Sequence, residues 1–327
     1  MFHCLIYSEI SLILILQSTL ADFLSGNPFY KRIRTPEAQQ SSSFIFSFVI
    51  FVYFCVMANS LFRSGGNTIL SFSGVYPEMA LPFMEGEGFV DCSDIEGTVC
   101  YCDPDAENEI LRRLSGRRVD ALHWIDSGDY HHVSALWLSR MEVPFDLLLL
   151  DNHPDMQEPS FGGILSCGGW VRESLIRYPL LRNVVIAGTD PSLSDECEGF
   201  GDRVKVFDRD FLSEHGTDSL LATVLEGNLP LYISIDKDVL SEEFARTDWS
   251  QGNMILETLL YILEKSIHGR EIAGIDICGE LPSHKGGNAE DMRINSVTDN
   301  ALYQFFCLNL SIGRKDDSLS DGKFKIV

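Results

Sequence analysis

Between residues 68 and 310 the chain alternates short apolar runs with longer stretches whose apolar residues recur at helical spacing. Short apolar runs of this kind are typical of strands buried on both faces. They predict strands at 68–73, 119–125, 145–151, 183–188, 204–208, 231–236 and 272–278. The helical spacing predicts helices at 107–114, 133–141, 169–178, 219–225, 254–268 and 296–310. Such alternation indicates an α/β fold with a mainly parallel sheet covered by helices on both faces.

The first 56 residues differ from the rest of the chain. Two apolar runs, 12–16 and 44–58, flank a polar stretch that contains Lys31, Arg32 and Arg34. The second run is at the short end of what can cross a bilayer as a helix. We therefore expect residues 1–56 to form an apolar extension that is either membrane-associated or not part of the functional protein. Residues 57–312 are expected to form the functional domain, and residues 313–327 a C-terminal tail.

The chain is strongly acidic, with a formal net charge of −23. Residues 1–56 hold three basic and three acidic residues, so the whole excess lies after residue 56. Such a charge argues against nucleic acid as a partner and suits metal cations or a small cationic substrate. The nine cysteines include no CxxC spacing. Reduced thiols and a cytoplasmic location are expected, with membrane anchoring through 44–58 as the alternative. The pattern leaves open whether the chain forms a homo-oligomer.

Polar clusters follow three of the predicted strands. DSGDYHH (126–132) follows the strand at 119–125, DNHPD (151–155) ends the strand at 145–151, and SIDKD (234–238) ends the strand at 231–236. The carboxyl ends of parallel strands meet at one edge of a sheet, where ligand sites form. The three clusters are therefore expected to build one shared site.

Acidic residues and histidine occupy alternate positions in DNHPD and SIDKD, and alternate side chains of an extended segment point the same way. Pro154 favours extended backbone at the preceding residue. The candidate ligands obtained in this way are Asp151, His153, Asp155, Asp236 and Asp238. Lys237 should point to the opposite side.

Four converging aspartates would repel each other and lose hydration, at a cost of several kcal/mol per charge. The two motifs contain no matching set of basic residues, whereas two divalent cations would supply the required positive charge. A carboxylate-rich set with one or two imidazoles suits Mn²⁺, and a pair of such ions serves hydrolysis. The alternative is a structural or solvated acidic cluster.

The order of these motifs resembles the arginase, or ureohydrolase, superfamily over about residues 68–310. The shared features are a histidine after a Gly–Asp turn, then D-x-H-x-D, then S-x-D-x-D, and a glutamate after a late strand (GIDICGE, 274–280). The resemblance implies a three-layer α/β/α fold and two Mn²⁺ ions. It assigns one ion to His131, Asp151, Asp155 and Asp236, and the other to His153, Asp151, Asp236 and Asp238. It also implies that Glu280 faces the cationic group of the substrate.

The chain departs from the family pattern at several positions. SGDYHHVS (127–134) replaces the usual GGDHS, so either His131 or His132 could be the ligand; His131 is favoured because it directly follows the GDY turn. The family's proton-shuttle histidine is missing, and Ser166 or Cys167 occupies its place. His284 is a candidate for proton transfer. The expected catalytic residues are Asp155, Glu280 and His284, and the expected substrate contacts are Gln157, Asp190 and Glu280.

The function expected from these features is hydrolysis of a linear C–N bond in a guanidino or amidino compound by a binuclear metal centre. One alternative is a deacetylase-like amide hydrolase, which uses a single zinc ion held by two aspartates and one histidine. The additional ligands Asp155 and Asp238 favour two ions over one. Another is a non-catalytic metal-binding relative, which the missing histidine favours. A binuclear phosphoesterase would need the motifs in the reverse order.

Overall fold

The computed structural model describes residues 67–79, 81–84, 88–159 and 162–313. The expected extension at 1–56, the whole apolar run at 44–58, the first residues of the expected functional domain (57–66) and residues 314–327 of the expected tail lie outside these ranges. No helix within the described ranges is long and apolar enough to cross a membrane.

An eight-stranded parallel sheet forms the centre of the fold. The strands are β1 (Asn67–Ser71), β2 (Phe89–Asp91), β3 (Tyr101–Cys102), β4 (Leu122–Ile125), β5 (Phe145–Leu150), β6 (Leu165–Ser166), β7 (Leu181–Ala187), β8 (Val204–Phe207), β9 (Leu231–Asp236) and β10 (Ile272–Cys278). Their order across the sheet is β2-β1-β4-β10-β9-β5-β7-β8, and β3 and β6 form a separate antiparallel pair. All seven strands predicted from the apolar runs are present, with ends that shift by a few residues.

Helices cover both faces of the sheet. They are α1 (Val75–Met79), α2 (Pro104–Arg113), α3 (Val133–Leu138), α4 (Trp170–Arg177), α5 (Arg209–His215), α6 (Asp218–Glu226), α7 (Leu256–Gly269) and α8 (Ala289–Gly313). The six predicted helices are among them. The short helices α1 and α5 were not predicted, because five to seven residues carry too little periodicity to be recognised.

The core lies in two layers, one on each face of the sheet. Along β5, Leu148 and Leu150 point into a core formed with α6, α7 and α8, whereas Leu147 and Leu149 point into a core formed with α2, α3 and α4. This alternation is the period of two of an extended strand that is buried on both faces. The fold is therefore the three-layer α/β/α arrangement with a parallel sheet that the sequence predicts.

The strand order brings the polar motifs together. β9 lies between β5 and β10, and β4 follows β10. Ile235 of β9 pairs with Leu150 of β5, so Asp151 and Asp236 leave the sheet side by side. The single helical turn Gly128–Tyr130 after β4 carries His131 to the same edge. The three polar clusters thus meet at the carboxyl edge of the sheet.

Candidate metal centre

One group of ligand atoms gathers around His131. Its Nδ1 lies 3.2 Å from Asp151 Oδ2 and 3.0 Å from Asp155 Oδ2. Asp236 Oδ2 is 3.6 Å from the same nitrogen. All four side chains are buried, with at most 5% of each residue's surface exposed. The arrangement is a compact set of one nitrogen and three oxygen atoms that face one another.

A second group gathers around His153, beside the first. His153 Nδ1 lies 2.8 Å from Asp238 Oδ2 and 3.5 Å from Asp151 Oδ1. Asp151 therefore contacts both histidines, with a different oxygen for each. The potential ligand atoms of His131, Asp151 and Asp155 lie within 4.8 Å of one another, and so do those of Asp151, His153 and Asp238. The two adjacent groups share Asp151, and each is a candidate cation site.

Backbone N–H groups fix the orientation of three carboxylates. Asp151 Oδ1 accepts from His153 N (2.6 Å), Asp236 Oδ1 accepts from Asp238 N (2.9 Å), and Asp238 Oδ1 accepts from Asn152 N (3.0 Å). Each side chain is held by one oxygen and presents the other to a histidine. The carboxylates are thus oriented before any cation binds.

The DNHPD segment is a turn and not the extended segment that the sequence predicts. Asp155 has a φ of 51°, in the left-handed region that few non-glycine residues adopt. Its carbonyl accepts from Val171 N (3.1 Å) at the start of α4, and its Oδ2 accepts from Trp170 Nε1 (2.6 Å). This turn directs Asp155 toward His131, while His153 faces the second group. The ligands converge, but not by the alternation of an extended chain.

Hydrogen bonds determine which nitrogen of His131 is free. Ser234 Oγ donates its single proton to Asp276 Oδ1 at 2.6 Å. The hydroxyl must then accept from His131 Nε2, which lies 2.9 Å away. The Nδ1 lone pair of a neutral imidazole would consequently face three carboxylates, an arrangement that requires a proton or a cation between them.

The acidic cluster carries more negative charge than its surroundings tolerate. Burial and the charge of Asp151 raise the pKa of Asp155 to about 7. Burial, followed by the charges of Asp236 and Asp151, holds the pKa of Asp238 well above its usual range. Burial alone would lower the pKa of His153, but hydrogen bonds with Asp151 and Asp238 raise it to about 12. These shifts show that the cluster favours added positive charge, and the donor set of two imidazoles and four carboxylates fits a pair of divalent ions.

His132 is placed differently from His131. It is fully buried outside the cavity, and burial together with the charge of His131 lowers its pKa to about 3. The structure thus brings His131, and not His132, to the carboxylates.

A cavity of about 110 Å³ opens onto both groups. The described residues that line it are Cys100, Tyr101, Gly128, His131, Asp151, His153, Asp155, Gln157, Glu158, Ser166, Cys167, Gly168, Asp236, Asp238 and Trp249. Ser166 and Cys167, which stand in place of the expected shuttle histidine, are thus at the cavity wall. The small volume restricts the site to a small ligand, or to one end of a longer one.

Three residues expected from the sequence are not part of that wall. Glu280 is buried, where it pairs with Lys237 Nζ and accepts from Asn295 Nδ2 at 2.9 Å. His284 is exposed on the loop after β10. Asp190 pairs with Arg209 at 2.7 Å and caps a short helical turn.

Lys237 points away from the metal centre, as its position between two ligand aspartates predicts. The side chain is fully buried, and its Nζ lies 2.7 Å from Asp299 Oδ1 in addition to the contact with Glu280. The Lys237 ammonium thus forms ion pairs with two buried carboxylates on the side of the SIDKD segment that faces away from the candidate metal centre.

Several cavity residues were missed in the sequence. Trp249 lies in the loop after β9, and its Nε1 donates to Asp129 Oδ1 at 3.2 Å. Cys100 directly precedes β3 and is brought to the wall by the pairing of β3 with β6; next to this pair, Cys167 N donates to Cys100 O at 2.9 Å. Both contacts join segments that are far apart in the chain, so no local sequence pattern predicts them. Cys278, at the end of β10, was missed as well, and it is not among the described residues that line the cavity.

The chain is similar to known proteins over the part that contains this site. The sequence model described as the arginase family matches residues 123–299, which include all six candidate ligands. An uncharacterized protein of Thermotoga maritima is 34% identical over 212 residues, which cover 65% of this chain and 78% of that protein.

Solved structures resemble the chain at lower sequence identity. The agmatine ureohydrolase of Thermoplasma volcanium has a TM-score of 0.55 at 15% identity, over 78% of this chain and 93% of its own. The formimidoylglutamase of Bacillus subtilis has a TM-score of 0.56 at 16% identity, over 75% and 87%. The proclavaminate amidino hydrolase of Streptomyces clavuligerus has a TM-score of 0.53 at 20% identity, over 74% and 88%. These likenesses establish a shared fold.

Proposed function

The chain belongs to the arginase family, and from that premise we propose that it is a binuclear metal-dependent hydrolase acting on a linear C–N bond. The observation that carries this proposal is the pair of histidine–carboxylate groups that share Asp151. A purely structural acidic cluster would need lysine or arginine partners, whereas the described ion pairs of these four carboxylates are formed with His131 and His153 alone.

Six side chains would hold the two ions. We assign His131, Asp151, Asp155 and Asp236 to an inner ion, and His153, Asp151, Asp236 and Asp238 to an outer one. Asp151 and Asp236 would bridge them. When bound, two such ions make a water molecule nucleophilic at neutral pH. Mn²⁺ is the ion we propose, because a set of carboxylates with one imidazole at each position suits hard to borderline cations.

The chain's own residues position the reactants. Asp155 is fixed by Trp170 and the start of α4, so its carboxylate stays at the inner position while a substrate enters. Ser166 and Cys167 line the cavity where a histidine would otherwise move protons. A thiol and a hydroxyl exchange protons less readily at neutral pH than an imidazole does. We therefore expect slow turnover.

A guanidino or amidino compound is the substrate class we propose. The cavity wall combines the acidic groups with Gln157, Glu158 and the half-exposed ring of Trp249. An aromatic face beside carboxylates attracts a planar cation. The agmatine ureohydrolase and the amidino hydrolase among the similar structures point to the same class. Glu280 is not included as a substrate contact, because Lys237 and Asn295 occupy its carboxylate.

The test is a substrate panel. Full-length protein loaded with Mn²⁺ is incubated with guanidino and amidino compounds of different lengths, and urea and ammonia are measured. Turnover of at least one compound is expected. Asp238→Asn should lose this turnover, whereas Asp218→Asn, which changes an exposed carboxylate, should keep it. A second panel of acetylated amines, with acetate as the readout, covers the deacetylase-like alternative.

Outcomes of the two panels separate the candidate functions. Acetate release without urea or ammonia would replace the C–N substrate class proposed here. Binding of two ions with no turnover on either panel would favour a non-catalytic metal-binding relative.

A further inference from the structure

Cys278 extends the row of candidate ligands by one strand. Parallel pairing sets Cys278 of β10 directly beside Asp236 of β9. Asp151 stands on the other side of Asp236, because Leu150 of β5 pairs with Ile235 of β9. Side chains at paired positions of parallel strands leave the sheet on the same face. The thiol and the two carboxylates therefore share one edge and one face of the sheet.

The distances place this thiol where a ligand of the inner ion would stand. Cys278 Sγ lies 3.1 Å from Asp236 Oδ2, the oxygen that faces His131 Nδ1. The three ligand atoms all lie within 4.8 Å of one another. Metal–sulfur bonds of about 2.3 Å and metal–oxygen bonds of about 2.1 Å put two ligands of one ion ~3.1–3.6 Å apart at bond angles of ~90–109°. The observed separation falls within that range.

The backbone holds Cys278 in this place. The next residue, Gly279, has a φ of 95°, and a Cβ there would lie 2.4 Å from Asp236 Oδ1. The end of β10 can approach Asp236 this closely only because position 279 lacks a side chain. Cys278 is also 1% exposed, so its thiol faces the acidic cluster and not solvent.

We propose that Cys278 binds the inner ion as a thiolate, together with His131 and Asp236; this inference rests on the two-metal centre proposed above. The thiol releases its proton to solvent as the metal–sulfur bond forms. Thiolate ligands favour Zn²⁺ and Co²⁺ over Mn²⁺. The inner position therefore selects a softer ion, while the outer position, with only nitrogen and oxygen ligands, retains its preference for Mn²⁺.

Cobalt spectroscopy tests this assignment directly. Metal-free full-length protein is titrated with Co²⁺, and its absorption spectrum is recorded. A near-ultraviolet thiolate-to-cobalt charge-transfer band is expected to grow with one of the two equivalents. Cys278→Ser should still bind Co²⁺ and show the visible absorption bands of cobalt, but it should lack the charge-transfer band. The preference of this variant for Zn²⁺ over Mn²⁺ should fall by about tenfold or more. Cys167→Ser, which alters a thiol of the cavity wall, should keep the band.

The outcomes separate failure of this inference from failure of the proposed centre. Two bound Co²⁺ ions without charge transfer in the unaltered protein would show that Cys278 only donates a hydrogen bond to Asp236, and the two-metal centre would stand. Loss of the band in Cys167→Ser, with retention in Cys278→Ser, would show that the thiolate ligand is Cys167 and not Cys278. No bound Co²⁺ at all would refute the two-metal centre and the thiolate ligand together. Because the first result needs no variant, poor folding of Cys278→Ser would not obscure it.

Discussion

At the scale of single residues, Asp151 has the largest consequences for the metal centre. Its two oxygens face two different histidines, and one of them also accepts a backbone N–H. Among the described ion pairs, each of the other three candidate carboxylates contacts a single histidine. The charge of Asp151 therefore serves both positions at once.

We predict that Asp151→Asn lowers metal content below one ion per chain. The substitution removes a negative charge from both positions, and the affinity of each should fall by at least about 100-fold. Elemental analysis after gel filtration in metal-free buffer measures the outcome. Asp218→Asn, an exposed carboxylate of α6, is the matched control and should keep two ions. Unchanged stoichiometry in Asp151→Asn would contradict the bridging role.

Lys237 gives a second prediction at this scale, because it is buried between Glu280 and Asp299. Lys237→Met leaves two carboxylates in the interior without their cation, at a cost of about 3–5 kcal/mol in the free energy of unfolding. Urea unfolding of the metal-free proteins measures it. Lys205→Met, at an exposed position of β8, should change the same quantity by less than about 0.5 kcal/mol. Equal midpoints for the two variants would show that the buried pairs do not stabilise the fold.

At the scale of secondary-structure elements, the strands were predictable and the turns were not. Runs such as FDLLLL and LYISID are buried on both faces, so their composition alone marks them as central strands. Their order in the sheet was not predicted, since pairing between β9 and β10 or β4 and β10 depends on contacts distant in sequence. The left-handed conformation of Asp155 is also invisible in the sequence, because Trp170 and Val171 impose it.

The candidate site was predictable to a similar degree. Five ligand candidates were found because they cluster in DNHPD and SIDKD at strand ends, and His131 was added chiefly through the family resemblance. Glu280 was placed in the substrate pocket by resemblance, whereas its carboxylate lies with Lys237, a partner 43 residues away in the sequence. Trp249 and Cys278 escaped notice because each approaches the site only through tertiary packing.

The approach of β10 to β9 depends on a glycine, and this leads to a third prediction. Gly279 and Gly286 both have positive φ, so an alanine at either position costs about 1–2 kcal/mol in backbone strain. Only at position 279 would the new Cβ also crowd Asp236 Oδ1 (2.4 Å) and Lys237 N (2.8 Å). Gly279→Ala should therefore weaken Mn²⁺ binding, whereas Gly286→Ala should lower thermal stability with little change in affinity. Isothermal titration of both variants makes the comparison, and equal affinities would refute the role given to this close approach.

At the scale of the whole molecule, the described contacts that build the proposed centre join residues between 67 and 313. The sheet, both core layers and the cavity are formed by this part of the chain. The division expected from the sequence, with an extension at 1–56 and a functional domain from residue 57, remains a proposal.

We predict that a protein beginning at Met57 binds metal as the full chain does. Its thermal midpoint at saturating Mn²⁺ should match that of the full chain, because ligand binding to the folded state contributes the same stabilisation in both. Calorimetry of the two proteins side by side measures this. A markedly lower midpoint or metal content in the shorter protein would show that residues before Met57 contribute to the fold.

The number of ions bound per chain tests the central claim most directly. Metal-free protein is equilibrated with excess Mn²⁺, freed of unbound metal by rapid gel filtration, and analysed for manganese and protein by elemental analysis. The two histidine–carboxylate groups predict two ions per chain, falling below one in Asp151→Asn. Fewer than one ion in the unaltered protein, or a single ion that survives the loss of Asp151, would contradict a binuclear centre.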